Sequence, residues 1–224
     1  MTYTLHIKRQ ETATSKPYWQ DVTYTARGRD SVATALRSLE QTDSPIGWQR
    51  SCLVRKCGAC AMRINGIPRL ACSTFLEDLH TKTITLEPLR KFPVVHDLIV
   101  DRSVIHTLLQ NLQIWHDQTE PSSPWTLALR RESGRCLQCG CCLDVCPNFT
   151  GQADFTGALG AVNTYRIVES EPAGAHRKAV TEQYKKLYYT ICNQSLACHA
   201  ICPAQLPVDE LLAHSNAMAI WHKK

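Results

Sequence analysis

Hydrophobic and polar positions alternate from the first residues. Tyr3, Leu5 and Ile7 are separated by Thr4 and His6, the period-two pattern of a strand with one buried face. A second run of this kind covers residues 18–25. Between Asp30 and Glu40 the period changes: Val32, Ala35, Leu36 and Leu39 share one helical face, with Asp30 or Ser31 as N-cap. Residues 61–64 and 67–71 flank Asn65 and Gly66, a pair that favours the type I′ turn of a two-residue hairpin. A last strand is expected at residues 83–86, before Pro88. Such elements predict a small mixed sheet with one packed helix.

From Asp97 onward the pattern turns helical. Leu98, Val104, Ile105, Leu108, Leu109 and Leu112 predict a long amphipathic segment ending near Trp115, and the run from Glu120 to Pro124 breaks it. Further helices are expected at residues 158–169, 176–188 and 208–221, with cysteine-bearing loops between them. The change of grammar divides the chain into residues 1–96 and 97–224, joined near residues 90–97.

Composition narrows the class. Hydrophobic residues at 44% and charged residues at 20% describe an ordinary soluble globular protein. The opening MTYTLHIKRQ lacks the apolar stretch of a signal peptide, and no run is apolar enough for a membrane span. A cytoplasmic location is expected, where thiols stay reduced and a disulfide scaffold is not expected. The formal charge of +5 treats every cysteine as neutral. Thiolate-bound clusters of roughly −2 each would bring the loaded protein close to neutrality. Basic pairs such as Arg130-Arg131 and Lys185-Lys186 are scattered, so they read as solvated faces and no nucleic-acid partner is expected.

Eleven of the twelve cysteines fall into three blocks. The first is Cys52, Cys57, Cys60 and Cys72, a C-x4-C-x2-C run with a distant fourth cysteine, the spacing of a plant-type [2Fe–2S] centre. The hairpin at Asn65 and Gly66 folds the chain back so that Cys72 can return to the loop. Gly58 leaves room for backbone amides to approach inorganic sulfide. The same thiolates could hold zinc, but the triple fits a two-iron centre better.

The second half contains a repeat. Cys136, Cys139, Cys142 and Cys146-Pro147 form C-x2-C-x2-C-x3-C-P, and the pattern returns as Cys192, Ser195, Cys198 and Cys202-Pro203. In two-cluster ferredoxins the last cysteine of each run ligates the other cluster. That rule gives Cys136, Cys139, Cys142 and Cys202 to a [4Fe–4S] cluster. It leaves Cys146, Cys192 and Cys198 with Ser195 in place of a fourth thiolate, which predicts [3Fe–4S]. The alternative is a four-iron cube with Ser195 or water on the odd iron. Pro147 and Pro203 end the local turns and let each chain cross to the other cluster. Cys141 reads as a small buried residue. His199 is either a donor or proton acceptor beside a ligand cysteine or a structural residue, and the five tryptophans read as packing residues.

These blocks, in this order, resemble the iron–sulfur subunit of succinate dehydrogenases and fumarate reductases. The likeness runs through SKPYWQDVTY, CGACAMRINGIPRLAC, TITLEPL, CLQCGCCLDVCP, FTGALG and LACHAICPAQLP, with LACHAICP and Ser195 closer to the menaquinone-linked branch. It implies an α+β protein: an N-terminal β-grasp plant-type ferredoxin domain holding [2Fe–2S], then an all-α bacterial-ferredoxin-like domain holding [4Fe–4S] and [3Fe–4S]. It further implies a flavoprotein partner carrying FAD, where succinate and fumarate interconvert. A membrane cytochrome b subunit with its quinone is implied at the other end. The chain would sit peripherally on the cytoplasmic side of the cell membrane, passing electrons and carrying no catalytic residues for the dicarboxylate. A related flavoprotein complex, of the thiol-linked fumarate reductase or glycolate oxidase type, is the alternative.

One departure stands out. The family's loop usually has glycine two residues before its second cysteine, whereas this chain has Arg55, followed by Lys56. Two cations beside a centre that becomes more negative on reduction are expected to raise its potential. Without that glycine, the loop is also free to follow a different backbone path.

Overall fold

In the computed structural model, which describes residues 1–42, 44–121 and 123–221 (the side chains of Pro124, Trp125 and Trp221 excepted), the chain divides into two units, Met1–Arg102 and Ser103–Lys224. Tyr3, Leu5 and Ile7 are buried along one face of β1 (Thr2–Arg9), as alternation predicts. β1 pairs antiparallel with β2 (Tyr18–Thr25) and parallel with β5 (Thr83–Glu87). β3 (Ala61–Ile64) pairs antiparallel with β5 and with β4 (Ile67–Leu70). The described residues thus form a β-grasp sheet of order β2-β1-β5-β3-β4. Asn65 (φ 50) and Gly66 (φ 76) are both left-handed, as a type I′ turn requires.

Helix α1 (Val32–Ser38) buries Val32, Ala35 and Leu36. Ser31 is its N-cap, accepting from the Thr34 amide at 3.1 Å, a contact that stabilises by about 1 kcal/mol.

Residues 94–100 depart from the expected helical pattern. Val94–His96 (β6) and Ile99–Val100 (β7) form a hairpin, and the unit boundary falls after Arg102 rather than after residue 96. The cause is Asp97, left-handed at φ 48 and 1% exposed. Its carboxylate accepts from Arg9 Nε at 2.9 Å, the Gln10 amide at 3.0 Å and the Gly47 amide at 2.9 Å. Burial alone would raise its pKa, but these donors outweigh burial and hold the carboxyl below its usual range. A buried charge so fully bonded fixes a turn that hydrophobic periodicity does not encode.

In the second unit, α2 spans Ser103–Asn111, ending before Trp115. Trp115 is 51% exposed and stacks on His176 at 5.4 Å, so it does not complete a helical stripe. Trp48 is buried, as a packing residue should be, but Trp19 is 44% exposed and stacks on His6. Trp125 and Trp221, read as packing residues, have side chains outside the described residues, as does Ser122 of the expected break. Helix α3 (Pro124–Ser133) was not expected from periodicity; Ser123 caps it and Pro124 opens it.

Two short helices, α4 (Cys141–Val145) and α7 (Ala197–Ile201), form inside the cysteine loops. Helix α5 (Gly157–Ser170) is buried along nearly its whole length, and α6 (Ala175–Tyr184) and α8 (Val208–Trp221) pack on it. A π-helical turn at Lys185–Tyr189 follows α6 where a continuous helix was expected.

Candidate functional site

Cys52, Cys57 and Cys60 lie on a loop of strained backbone, and Cys72 lies in the 3-10 turn Ala71–Ser73 after the hairpin. Leu53 (φ 54), Arg55 (φ 59) and Gly58 (φ 74) are all left-handed. Arg55 therefore adopts the conformation a glycine would supply at lower steric cost. The twists aim backbone amides at sulfur: Val54 and Lys56 donate to Cys52 Sγ at 3.4 and 3.3 Å, and Ala59 donates to Cys57 Sγ at 3.5 Å. Those amides pull the Cys52 thiol down to about 7. The β3–β4 hairpin returns the chain so that the Ala71 amide binds the Cys60 carbonyl at 3.0 Å and Cys72 comes beside Cys60. Burial pushes Cys60 up to about 12.

The second unit gathers its cysteines across the repeat. Cys136, Cys139, Cys142 and Cys202 line one cavity. Cys146, Cys192 and Cys198 line another, together with Ser195. Each run thus sends its last cysteine to the other run's cavity. The two backbones match in register: Gln138 (φ 52) corresponds to Gln194 (φ 55), and Gly140 (φ 85) to Leu196 (φ 55). Helix α4 corresponds to α7, and Cys146 and Cys202 both leave their helix in extended conformation. At Gly157 (φ 56) a Cβ would come within 2.7 Å of the Leu143 side chain, so this glycine lets α5 approach α4.

Backbone amides and burial act on sulfur here as well. The Gln194 amide donates to Cys192 Sγ at 3.4 Å, and the Gln138 amide favours the Cys136 thiolate. Burial raises Cys136 and Cys198 to about 11 and Cys142 well above its ordinary value. Iron binding must therefore displace protons from these thiols, and bound cations would offset the mutual repulsion of the thiolates. Donor chemistry, grouping and N–H···S bonds all suit iron–sulfur clusters, which supply one-electron redox chemistry when bound.

Several side chains at these sites were not anticipated. Asn163, 1% exposed on α5, donates to the Leu159 carbonyl at 2.8 Å and lies near Cys136, where it favours the thiolate. Tyr188, on the π-helical turn, lies beside Cys192 and stacks between Phe155 and Tyr184. A buried amide in the apolar run ALGAVNTYRIV was a readable signal for Asn163, whereas the register of the π turn left none for Tyr188. Cys141 is fully buried. His199, by contrast, lies on the surface with Nδ1 2.9 Å from Asp209 Oδ1.

Fold and thiol grouping define the class: an iron–sulfur electron-transfer protein. Residues 4–107 match the family model described as a 2Fe-2S iron-sulfur cluster binding domain. The succinate dehydrogenase iron–sulfur subunit of Bacillus subtilis is 31% identical over 94% of this chain and 89% of its own. The fumarate reductase iron–sulfur subunit of Wolinella succinogenes is 30% identical over 91% and 90%. Among solved structures, the Mycobacterium smegmatis Sdh1 complex in the apo form has a chain of the same fold, with a TM-score of 0.82 at 22% identity, covering 100% of this chain and 98% of that one. The chain belongs to the family of succinate dehydrogenase and fumarate reductase iron–sulfur subunits.

Proposed function

We propose that the chain carries electrons one at a time between a flavoprotein subunit holding FAD, where succinate and fumarate interconvert, and a quinone-binding cytochrome b subunit in the membrane. Cys52, Cys57, Cys60 and Cys72 hold [2Fe–2S] and exchange electrons with flavin. Cys136, Cys139, Cys142 and Cys202 hold [4Fe–4S]. Cys146, Cys192 and Cys198 hold [3Fe–4S], which exchanges electrons with quinone. Among the described residues no helix is long and apolar enough to cross a membrane, so the membrane contact is assigned to the partner. The chain then lies peripherally on the cytoplasmic side.

The observation that carries this reading is the exchange of final cysteines between the two cavities, with serine in one of them. It supports two unlike clusters set side by side, as an electron conduit needs. The test is affinity purification of the tagged chain from membranes. A co-purifying flavoprotein with covalent FAD, a cytochrome and succinate-dependent quinone reduction is expected. An unrelated flavoprotein that reacts with glycolate or with a thiol would replace this reading with the related-complex alternative.

A further inference from the structure

Arg102, the last residue of the first unit, reaches back to the cysteine loop. Its Nη1 donates to the Gly58 carbonyl at 3.1 Å, and its Nη2 donates to the carbonyls of Ala59 and Ala61 at 2.9 and 3.1 Å. These acceptors lie on the turn between Cys57 and Cys60 and on the residue after it. The guanidinium is half-buried and always charged, so the bonds are stronger than neutral ones and less screened than at a fully exposed site. Gly58 and Ala59 share one peptide group. Its carbonyl accepts from Arg102, and its N–H, on Ala59, donates to Cys57 Sγ at 3.5 Å. Polarising a carbonyl strengthens the donor at the other end of the same peptide. A cation is thereby linked to a cysteine sulfur through two hydrogen bonds and one amide.

We propose that Arg102 is a positioning residue for the [2Fe–2S] centre, fixing the Cys57–Cys60 turn and raising the centre's midpoint potential through the Gly58–Ala59 peptide. Reduction adds one electron and makes the centre more negative. Both the formal charge and the strengthened N–H stabilise that reduced state. The inference rests on Cys52, Cys57, Cys60 and Cys72 being the ligands.

The test is a redox titration of the purified complex, followed by EPR of the reduced [2Fe–2S] signal, in native protein, Arg102→Gln and Arg102→Lys. Arg102→Gln is expected to titrate at more negative potential with a broadened signal, and Arg102→Lys to fall between it and native. The [3Fe–4S] midpoint should stay in place as an internal control. A native midpoint in Arg102→Gln overturns the proposal, even if thermal stability drops. Should Arg102→Gln fail to hold the centre, Arg102→Lys decides: a midpoint below native supports the proposal and a native one overturns it. Absence of any [2Fe–2S] signal from the native complex would instead sink the ligand assignment.

Discussion

The two cysteine runs of the second unit share a backbone and differ in chemistry. Left-handed residues recur at Gln138 and Gln194 and at Gly140 and Leu196, and a short helix follows in both. Each run's first cysteine has the amide two residues on and one polar side chain near it: Gln138 and Asn163 near Cys136, Gln194 and Tyr188 near Cys192. Against that shared frame, Ser195 stands where Cys139 stands, and Leu196 where Gly140 stands. The cradle is thus set by the backbone, while the number of thiols lining it is set by a single side chain. On the proposed ligand assignment, one fold can therefore hold two unlike clusters.

The largest expected effect comes from removing the main difference. Ser195→Cys should supply the absent thiolate, abolish the oxidised [3Fe–4S] EPR signal and raise iron content by about one atom per chain. An unchanged signal would mean that position 195 does not face the cluster.

The two polar side chains should act separately. Tyr188→Phe is expected to lower the midpoint of the cluster bound by Cys192, and Asn163→Leu that of the cluster bound by Cys136. Each shift should be about 40 mV, taking ~1 kcal/mol per hydrogen bond and 59 mV per tenfold change. If either variant moved both clusters equally, the two cradles would not be independent. The smallest effect is conformational. Leu196 is 45% exposed, so Leu196→Gly loses little packing and relieves left-handed strain. Stability should rise by about 1 kcal/mol and Tm by about 2–4 °C, measured by thermal unfolding.

Where spacing and periodicity are local, they were readable in the chain. β1, β2, the Asn65-Gly66 hairpin and the Ser31 cap all follow from residues adjacent to one another. The sharing of cysteines between the two cavities also follows the repeat, because C-x3-C-P appears twice at matching positions. What escaped depends on distant partners. The Asp97 turn exists because Arg9, Gln10 and Gly47 converge on its carboxylate, and no window around residue 97 contains them. Apolar Leu98, read as the start of a helix, is buried in the turn of a hairpin instead. Helix α3 is marked by its cap and its proline, not by a strong apolar stripe. Arg102 has no local mark of its role, since its acceptors are backbone carbonyls more than forty residues earlier.

The pairing of unlike clusters is tested most directly by EPR combined with iron analysis of the anaerobically purified complex, as prepared and after stepwise reduction. An oxidised [3Fe–4S] signal, two further signals on reduction and about nine iron atoms per chain are expected. Three four-iron cubes, a single cluster or far less iron would contradict the account.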